Sequence, residues 1–305
     1  GQARAALVRA ERLAEAAARP VLEAVRERMR AIGCRLIEGE AAAALARLGP
    51  EPIPSVRIET LGGFRVVRSG QVVANSVWKS RKARDLLKIL ISRRGRPVAH
   101  EQLIEMLWPE ESPAAVANRF HVVVSTVRSL LDPGRRLNAD GFVINEGNAF
   151  RLELAPLEID CESFLADATA GLRLVRDGRE ADGIERLLRA ESSYAGDFLE
   201  EDLYQDWAAA LREEARITYR EVTGTLARLA QEVGDTDAAV RYLLRSLERD
   251  VYDESTHLEL VSVLAGCGRH GDARMHYRSY CERMDELGVE AAPFPAARRR
   301  GISPR

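Results

Sequence analysis

The stretch NRFHVVVSTVRSLL, residues 118–131, decides how this chain is read. Laid out at about 100° per residue, Phe120, Val124, Val127 and Leu131 fall on one stripe, with Val123 and Leu130 at its edge. The spacing predicts a helix buried along that stripe. Val122 points away, roughly 200° from Phe120, into a face of Asn118, Ser125, Thr126 and Ser129 flanked by Arg119, His121 and Arg128. Such a face suits a nucleic-acid groove. Asn, Ser and Thr bond base edges, valine can meet a thymine methyl, and arginine holds a phosphate or a guanine. The competing reading is a solvated helix with one valine covered by a neighbouring domain, and this face alone does not separate the two.

The flanking segments narrow the choice. Upstream, VRIETLGGFRVVRSGQVV has strand composition with turn signals at Gly62-Gly63 and Ser69-Gly70, which predicts a small antiparallel sheet. Ser80 can cap a first helix, RKARDLLKILISR, that ends before Gly95-Arg96-Pro97. His100 opens a second, HEQLIEMLW, that ends at Pro109, and Ser112-Pro113 give the third helix a cap and a first-turn proline. Downstream, FVINEGNAFRLEL offers two short strands around Glu146-Gly147-Asn148. Strands, three helices and a hairpin make a winged helix-turn-helix, which sends one helix into the major groove and a loop to the neighbouring backbone. In that context WKSRKAR puts Lys79, Arg81, Lys82 and Arg84 around the start of the first helix, where exposed N–H groups favour phosphate. Arg135, Arg136, Asn145, Asn148 and Arg151 lie in or beside the wing, and with Arg128 the set resembles a phosphate clamp. Trp108 and Phe150 occupy apolar-periodic positions and are expected in the core. Glu110 and Glu111 are expected in a solvated turn.

The net charge of −2 conceals a segregation. Residues 51–155 carry 16 basic and 11 acidic groups, whereas 156–290 carry 16 basic and 30 acidic. One half can meet a polyanion and the other would be repelled by it. Beyond Pro156 the pattern is helical to about Gly288, and a period of 34 pairs Leu226 with Leu260, Gly234 with Gly268 and Ala239 with Ala273. GREADGIERLLRA, residues 178–190, looks like the second helix of a more degenerate unit. A small residue where two helices cross, with larger apolar residues a turn away, is what stacked helical hairpins of the tetratricopeptide kind require. Acidic runs such as EEDLYQD are expected to be solvated.

Residues 1–50 carry apolar residues at helical spacing, interrupted at Pro20 and closed at Gly33 and Gly49. The chain begins within that pattern, and the segment is expected to be the end of an upstream helical array or linker in a longer polypeptide. GPEPIP, residues 49–54, is a stiff linker. The tail AARRRGISPR has no pattern and is expected to be disordered or foreign. The expected division is therefore 1–50, a winged helix over 53–155, a helical domain over 156–291 and a tail over 292–305. The fold class is mainly α with a small β part, a winged helix-turn-helix packed with an all-α tetratricopeptide-like solenoid.

Little points to catalysis. There is no phosphate loop, dinucleotide fingerprint, zinc-protease motif or nucleophile elbow. Cys34, Cys161, Cys267 and Cys281 show no metal spacing and are expected as free thiols, and no cofactor is called for. No apolar run approaches a membrane span, and the first thirty residues are no secretory signal, so a cytoplasmic, nucleoid-associated protein is expected.

WKSRKARDLLKILISRRGRPVAHEQLIEMLWP, then ANRFHVVVSTVRSLL and the wing FVINEGNAFRL, resemble the OmpR-type winged helix of the Streptomyces antibiotic regulatory protein family. IDCESFLADA, then SSYAGDFL and the run to ELGVE, resemble that family's bacterial transcriptional activator domain. The resemblance implies a transcriptional activator that binds double-stranded DNA at direct-repeat operators near promoters and recruits RNA polymerase, as a homodimer on DNA or as monomers side by side. It places Val122, Thr126 and Ser129 at base-reading positions, with Arg119 and His121 as neighbours and Arg128 on the backbone-facing flank. Thr126 and Ser129 stand where many members carry arginine, Ala149 replaces a common wing glycine, and the chain leaves the family pattern at Ala292. The competing class is an interaction scaffold using the winged helix and the acidic solenoid as docking modules.

Overall fold

A computed structural model describes residues 15–47, 55–134, 137 and 141–295, and the chain divides into two units at Pro54/Ser55. In the first unit, α1 (Glu15–Ala31) and α2 (Arg35–Arg47) form a helical hairpin, with Leu22, Val25 and Met29 of α1 and Ala41 and Leu45 of α2 buried. Gly33, at φ +73°, supplies the left-handed residue that ends α1. The expected break at Pro20 does not occur, because α1 runs through it. A proline costs one N–H donor and a ring contact, and the helix-favouring Ala, Leu and Glu around it carry the turn across.

The second unit opens with a four-stranded sheet. β1 (Val56–Glu59), β2 (Arg65–Arg68) and β3 (Gln71–Val72) are antiparallel, and the sheet order is β3-β2-β1-β7. β7 (Leu157–Ile159) pairs parallel to β1, with Val56 opposite Leu157 and Ile58 opposite Ile159. The sequence pattern reads this segment as helical. Three residues are too few to show a period of two, and the partner strand lies about a hundred residues upstream. Between β3 and β7 come α3 (Arg81–Ser92), β4 (Val98–Ala99), α4 (His100–Leu107), α5 (Pro113–Leu131), and the wing strands β5 (Val143–Asn145) and β6 (Ala149–Leu152). β4 pairs with β6, so the wing is three-stranded. Ser80 caps α3 by accepting from the Lys82 N–H at 3.2 Å. Ser112 stands at the N-cap of α5 without a side-chain bond, its carbonyl accepting from Ala115 N–H instead.

Six helices form three hairpins: α6 (Asp160–Arg176) with α7 (Glu180–Ser193), α8 (Asp206–Glu232) with α9 (Thr236–Arg249), and α10 (Glu254–Gly266) with α11 (His270–Glu286). The period of 34 has a plain structural meaning. Gly234 and Gly268 turn between the helices of their hairpins at φ +84° and +85°, and Ala239 and Ala273, five residues on, are fully buried where the helices cross. Gly178, at φ +77°, plays the same part in the degenerate first hairpin. There the crossing residue is Gly183, where a Cβ would lie 2.6 Å from Val175 Cγ2. One continuous core runs from Val56 in β1 to Leu226 in α8, so the winged helix and the first part of the solenoid share their interior. The first residues of the tail are docked. Ala292 donates to Tyr280 Oη at 2.8 Å and accepts from Tyr277 Oη at 2.9 Å, and Phe294 packs edge-on to Tyr277; the rest of the tail lies outside the described residues.

Candidate nucleic-acid interface

α5 is anchored by the stripe that the sequence marks out. Val116, Phe120, Val127 and Leu131 are fully buried, and Val123, Val124 and Leu130 nearly so. Phe120 packs edge-on to Phe150 of the wing and to His100. Arg68, from β2, donates to the Leu130 carbonyl at 2.5 Å, placing a cation at the negative end of the helix. These contacts fix the rotation of α5. They leave Asn118, Arg119, His121, Val122, Ser125 and Ser129 exposed, and Val122 is 65% exposed.

The exposed face is a ridge between two grooves. On one side, a cleft of about 600 Å³ runs between α5 and the wing, lined by His121, Ser125, Arg128, Ser129 and Asn145. On the other, a groove of about 580 Å³ runs past Val122 and Thr126 to Val77 and Lys79, in and after the short 3-10 turn Asn75–Trp78. His121, Ser125 and Ser129, four residues apart on the helix, line both and so form the crest. Val122 lies on the flank facing Val77. Val77 carries no signal in the sequence, because its role comes from a turn packed against a helix 45 residues away.

The expected site residues separate on inspection of their partners. Thr126 is half-buried and its hydroxyl donates to the Val122 carbonyl at 2.8 Å, leaving the oxygen's lone pairs outward. Arg119 pairs with Glu111, and its guanidinium lies 5.5 Å from the centre of the Trp108 ring. Glu111 is thus a partner of the α5 face. Arg128 donates Nε and Nη2 to the Val143 carbonyl at 3.0 and 2.6 Å, tying α5 to the wing. Asn145 and Asn148 are exposed at the wing turn, where Gly147 has φ +72° and the Asn148 carbonyl accepts from His100 N–H. Arg151 is held by Glu146 and Glu153. Arg135 and Arg136 lie outside the described residues.

The basic run of WKSRKAR divides in the same way. Lys79 and Arg81 are exposed and make no ion pair or hydrogen bond through their side chains among the described residues. Lys82 donates to the Leu107 carbonyl at the C-terminus of α4. Arg84 donates to the Phe64 carbonyl at 3.2 Å and to Glu201 at 2.8 Å. One turn further, Lys88 is 4% exposed and bonded to Glu201 at 2.6 Å and Asp202 at 2.5 Å. The acidic run EEDLYQD, expected to be solvated, therefore supplies the carboxylates of a half-buried ion network.

That network belongs to a seam between the winged helix and the helical domain. Arg94 pairs with both oxygens of Glu162 and with Glu214 at 2.7–2.9 Å, bonds that raise its pKa above the ordinary arginine value. The Asp160 carboxylate accepts from the N–H groups of Thr60, Leu61 and Cys161 and from the Thr60 hydroxyl. The stretch YAGDFL docks on Thr60–Gly62. Leu199 N–H bonds Thr60 O, Gly62 N–H bonds Asp197 O, and a Cβ on Gly196 would come within 2.6 Å of Gly62 Cα. Arg212, buried in α8, donates to the carbonyls of Phe198, Leu199, Asp202 and Leu203. Nothing in the local sequence distinguishes Arg212 from its exposed neighbours.

A helix held by its apolar stripe, a polar ridge between two grooves and a wing beside it define a winged helix-turn-helix, a fold that presents one helix to the major groove of DNA. Comparison with known proteins places it more narrowly. Residues 74–139 match the family model "Transcriptional regulatory protein, C terminal", and residues 159–302 match "Bacterial transcriptional activator domain". The transcriptional regulatory protein EmbR of Mycobacterium tuberculosis is 26% identical over 219 residues, covering 70% of this chain and 55% of that protein. The transcriptional regulator RedD of Streptomyces coelicolor is 30% identical over 241 residues, covering 72% and 62% respectively. The regulatory protein AfsR of Streptomyces griseus is 26% identical over 251 residues, covering 80% of this chain and 24% of AfsR. The fold is that of Mycobacterium tuberculosis EmbR, solved in complex with a low affinity phosphopeptide, at a TM-score of 0.65 and 24% identity, over 79% of this chain and 63% of that one. The chain carries both of these domains in order, and over them it is similar to transcription regulators of Mycobacterium and Streptomyces. It spans about half, 55%, of the length of EmbR. Among the described residues no helix is long and apolar enough to cross a membrane, and no cluster of His, Cys, Asp or Glu could hold a metal.

Proposed function

We propose that the chain is a sequence-specific transcriptional activator that binds direct-repeat operators beside promoters and recruits RNA polymerase, as a homodimer on DNA or as monomers side by side. The observation that carries the DNA reading is the ridge of α5 with a groove on each flank, because a ridge in the major groove needs room on both sides for the two sugar-phosphate backbones. Base reading falls to the ridge and its flanks: Asn118, Arg119, His121, Val122, Ser125, Thr126 and Ser129. Lys79 and Arg81 on one side, and Asn145 and Asn148 on the other, bind phosphates. Arg128 orients the wing, Lys82 braces α4, and Arg84 belongs to the seam. The acidic helical domain over 156–291 is the surface turned to polymerase, since its charge keeps it off DNA. The winged helix over 53–155 is the reading head.

Binding of sheared genomic fragments at low and moderate salt, with sequencing of what is retained, tests the reading. The expected result is enrichment of a repeated motif that survives the higher salt. Retention of random sequence, lost in proportion as salt rises, would reduce the contact to charge alone.

A further inference from the structure

Behind the reading head, a cleft of about 500 Å³ separates the turn after α3 from the N-terminal half of α8. Three arginines line it, Arg93, Arg94 and Arg96, with Gln102 of α4 beside them and Leu211 and Glu214 of α8 opposite. Arg94 is neutralised by Glu162 and Glu214. The other two are not. Arg96 is exposed and makes no side-chain bond among the described residues, and Arg93 touches only Met106 Sδ, at 3.8 Å. A guanidinium at a helix C-terminus is favoured by the helix dipole and needs no ligand. Among the arginines of this cleft, Arg93 alone has an Nε–H that is withdrawn from solvent and donates to no acceptor among the described residues; Arg84 and Arg216, which share that feature elsewhere, are ion-paired. An unmet buried donor is costly, and here it belongs to a forked cation beside a second unpaired cation. Glu105, exposed at the edge, is the only other carboxylate in the lining.

We propose that this cleft is a binding site for a small molecule carrying a phosphate or carboxylate group. The oxyanion accepts from Arg93 and Arg96 in the forked geometry that guanidinium offers, and Gln102 supplies a further donor. The ligand's body lies against Leu211. Because the arginines come from the winged helix and the opposite wall from α8, such a ligand bridges the reading head and the helical domain and stabilises their joint folded state.

Calorimetric titration of the chain with inorganic phosphate and with malonate, at constant ionic strength, tests this and distinguishes the two oxyanion sources. One of them is expected to bind with a dissociation constant on the order of 1 mM or tighter. Arg93→Gln with Arg96→Gln should weaken that binding at least tenfold. Arg274→Gln with Arg278→Gln, at exposed positions of α11, should leave it unchanged. The Nε–H resonance of Arg93 in the unaltered chain is expected to shift on saturation, which keeps the test independent of how the variant folds. Failure of both anions to bind, equal affinity in the Arg93/Arg96 variant, or a silent Arg93 resonance would each overturn the site. None of these readouts involves DNA, so they are independent of the proposed operator binding.

Discussion

The face of α5 and the seam beneath α3 are built from the same residue types and do opposite things with them. On the ridge, polar side chains and Val122 are turned to solvent, and the flanking Lys79 and Arg81 are uncommitted. Along the seam, Arg84, Lys88, Arg94 and Arg212 are committed to carboxylates and carbonyls within the chain. A count of basic residues cannot separate the two populations. Arg81 and Arg84 are three residues apart, and one is exposed while the other reaches Glu201. The position of a cation on its helix, and which element covers that position, decides whether it stays free at the surface or closes the protein.

The largest expected effect lies in the seam. Lys88→Ala strips a nearly buried ammonium from Glu201 and Asp202 and should cost about 3–5 kcal/mol, read from urea unfolding. Lys88→Met, which fills the space, should cost less. If alanine costs under about 1 kcal/mol, the seam is not the rigid element described here. Asp160→Ala comes next, since it leaves the N–H groups of Thr60 and Leu61 without their acceptor. About 2–3 kcal/mol is expected, with far-UV circular dichroism showing a native helix content before unfolding.

The exposed cations should show the reverse pattern. Lys79→Ala and Arg81→Ala should each reduce the slope of log binding constant against log salt by about 1 and leave thermal stability alone. Arg84→Ala should lower stability and leave the slope unchanged. An Arg84 variant with a reduced slope would move that residue to the DNA face.

The smallest effect concerns His100, which stands between Phe120, His121 and Phe150. Burial, with the nearby His121 charge adding to it, holds the His100 imidazole below its ordinary value of 6.5. The unfolded chain therefore takes up a proton that the folded chain resists as the pH drops past that value. Stability that is full above pH 6.5 is lost below it. His100→Phe should flatten the fall in melting temperature between pH 7 and pH 5. An identical fall in the variant would show that His100 does not titrate differently on folding.

Local pattern carried the winged helix well, for a physical reason. The stripe from Phe120 to Leu131, the cap at Ser80 and the turns at Gly147, Gly234 and Gly268 are all set by residues within a few positions of each other. The exposure of Val122 follows from the same stripe. What the sequence did not disclose depends on contacts made across long separations. β7 is three residues long and is defined by its partner β1, the acidic run at 200–202 is defined by Lys88, and the groove beside Val122 is defined by Val77. Pro20 shows the converse, a strong local breaker that the surrounding helix carries through.

The central claim is that α5 reads bases through its exposed face while the seam only holds that face in place. The direct measurement is the affinity of Val122→Ala with Thr126→Ala for a duplex selected from genomic fragments and for a scrambled duplex of the same composition. The account predicts a loss of about 1–3 kcal/mol per lost contact on the selected duplex, none on the scrambled one, and an unchanged unfolding midpoint. Equal loss on both duplexes, or no loss on either, would contradict it.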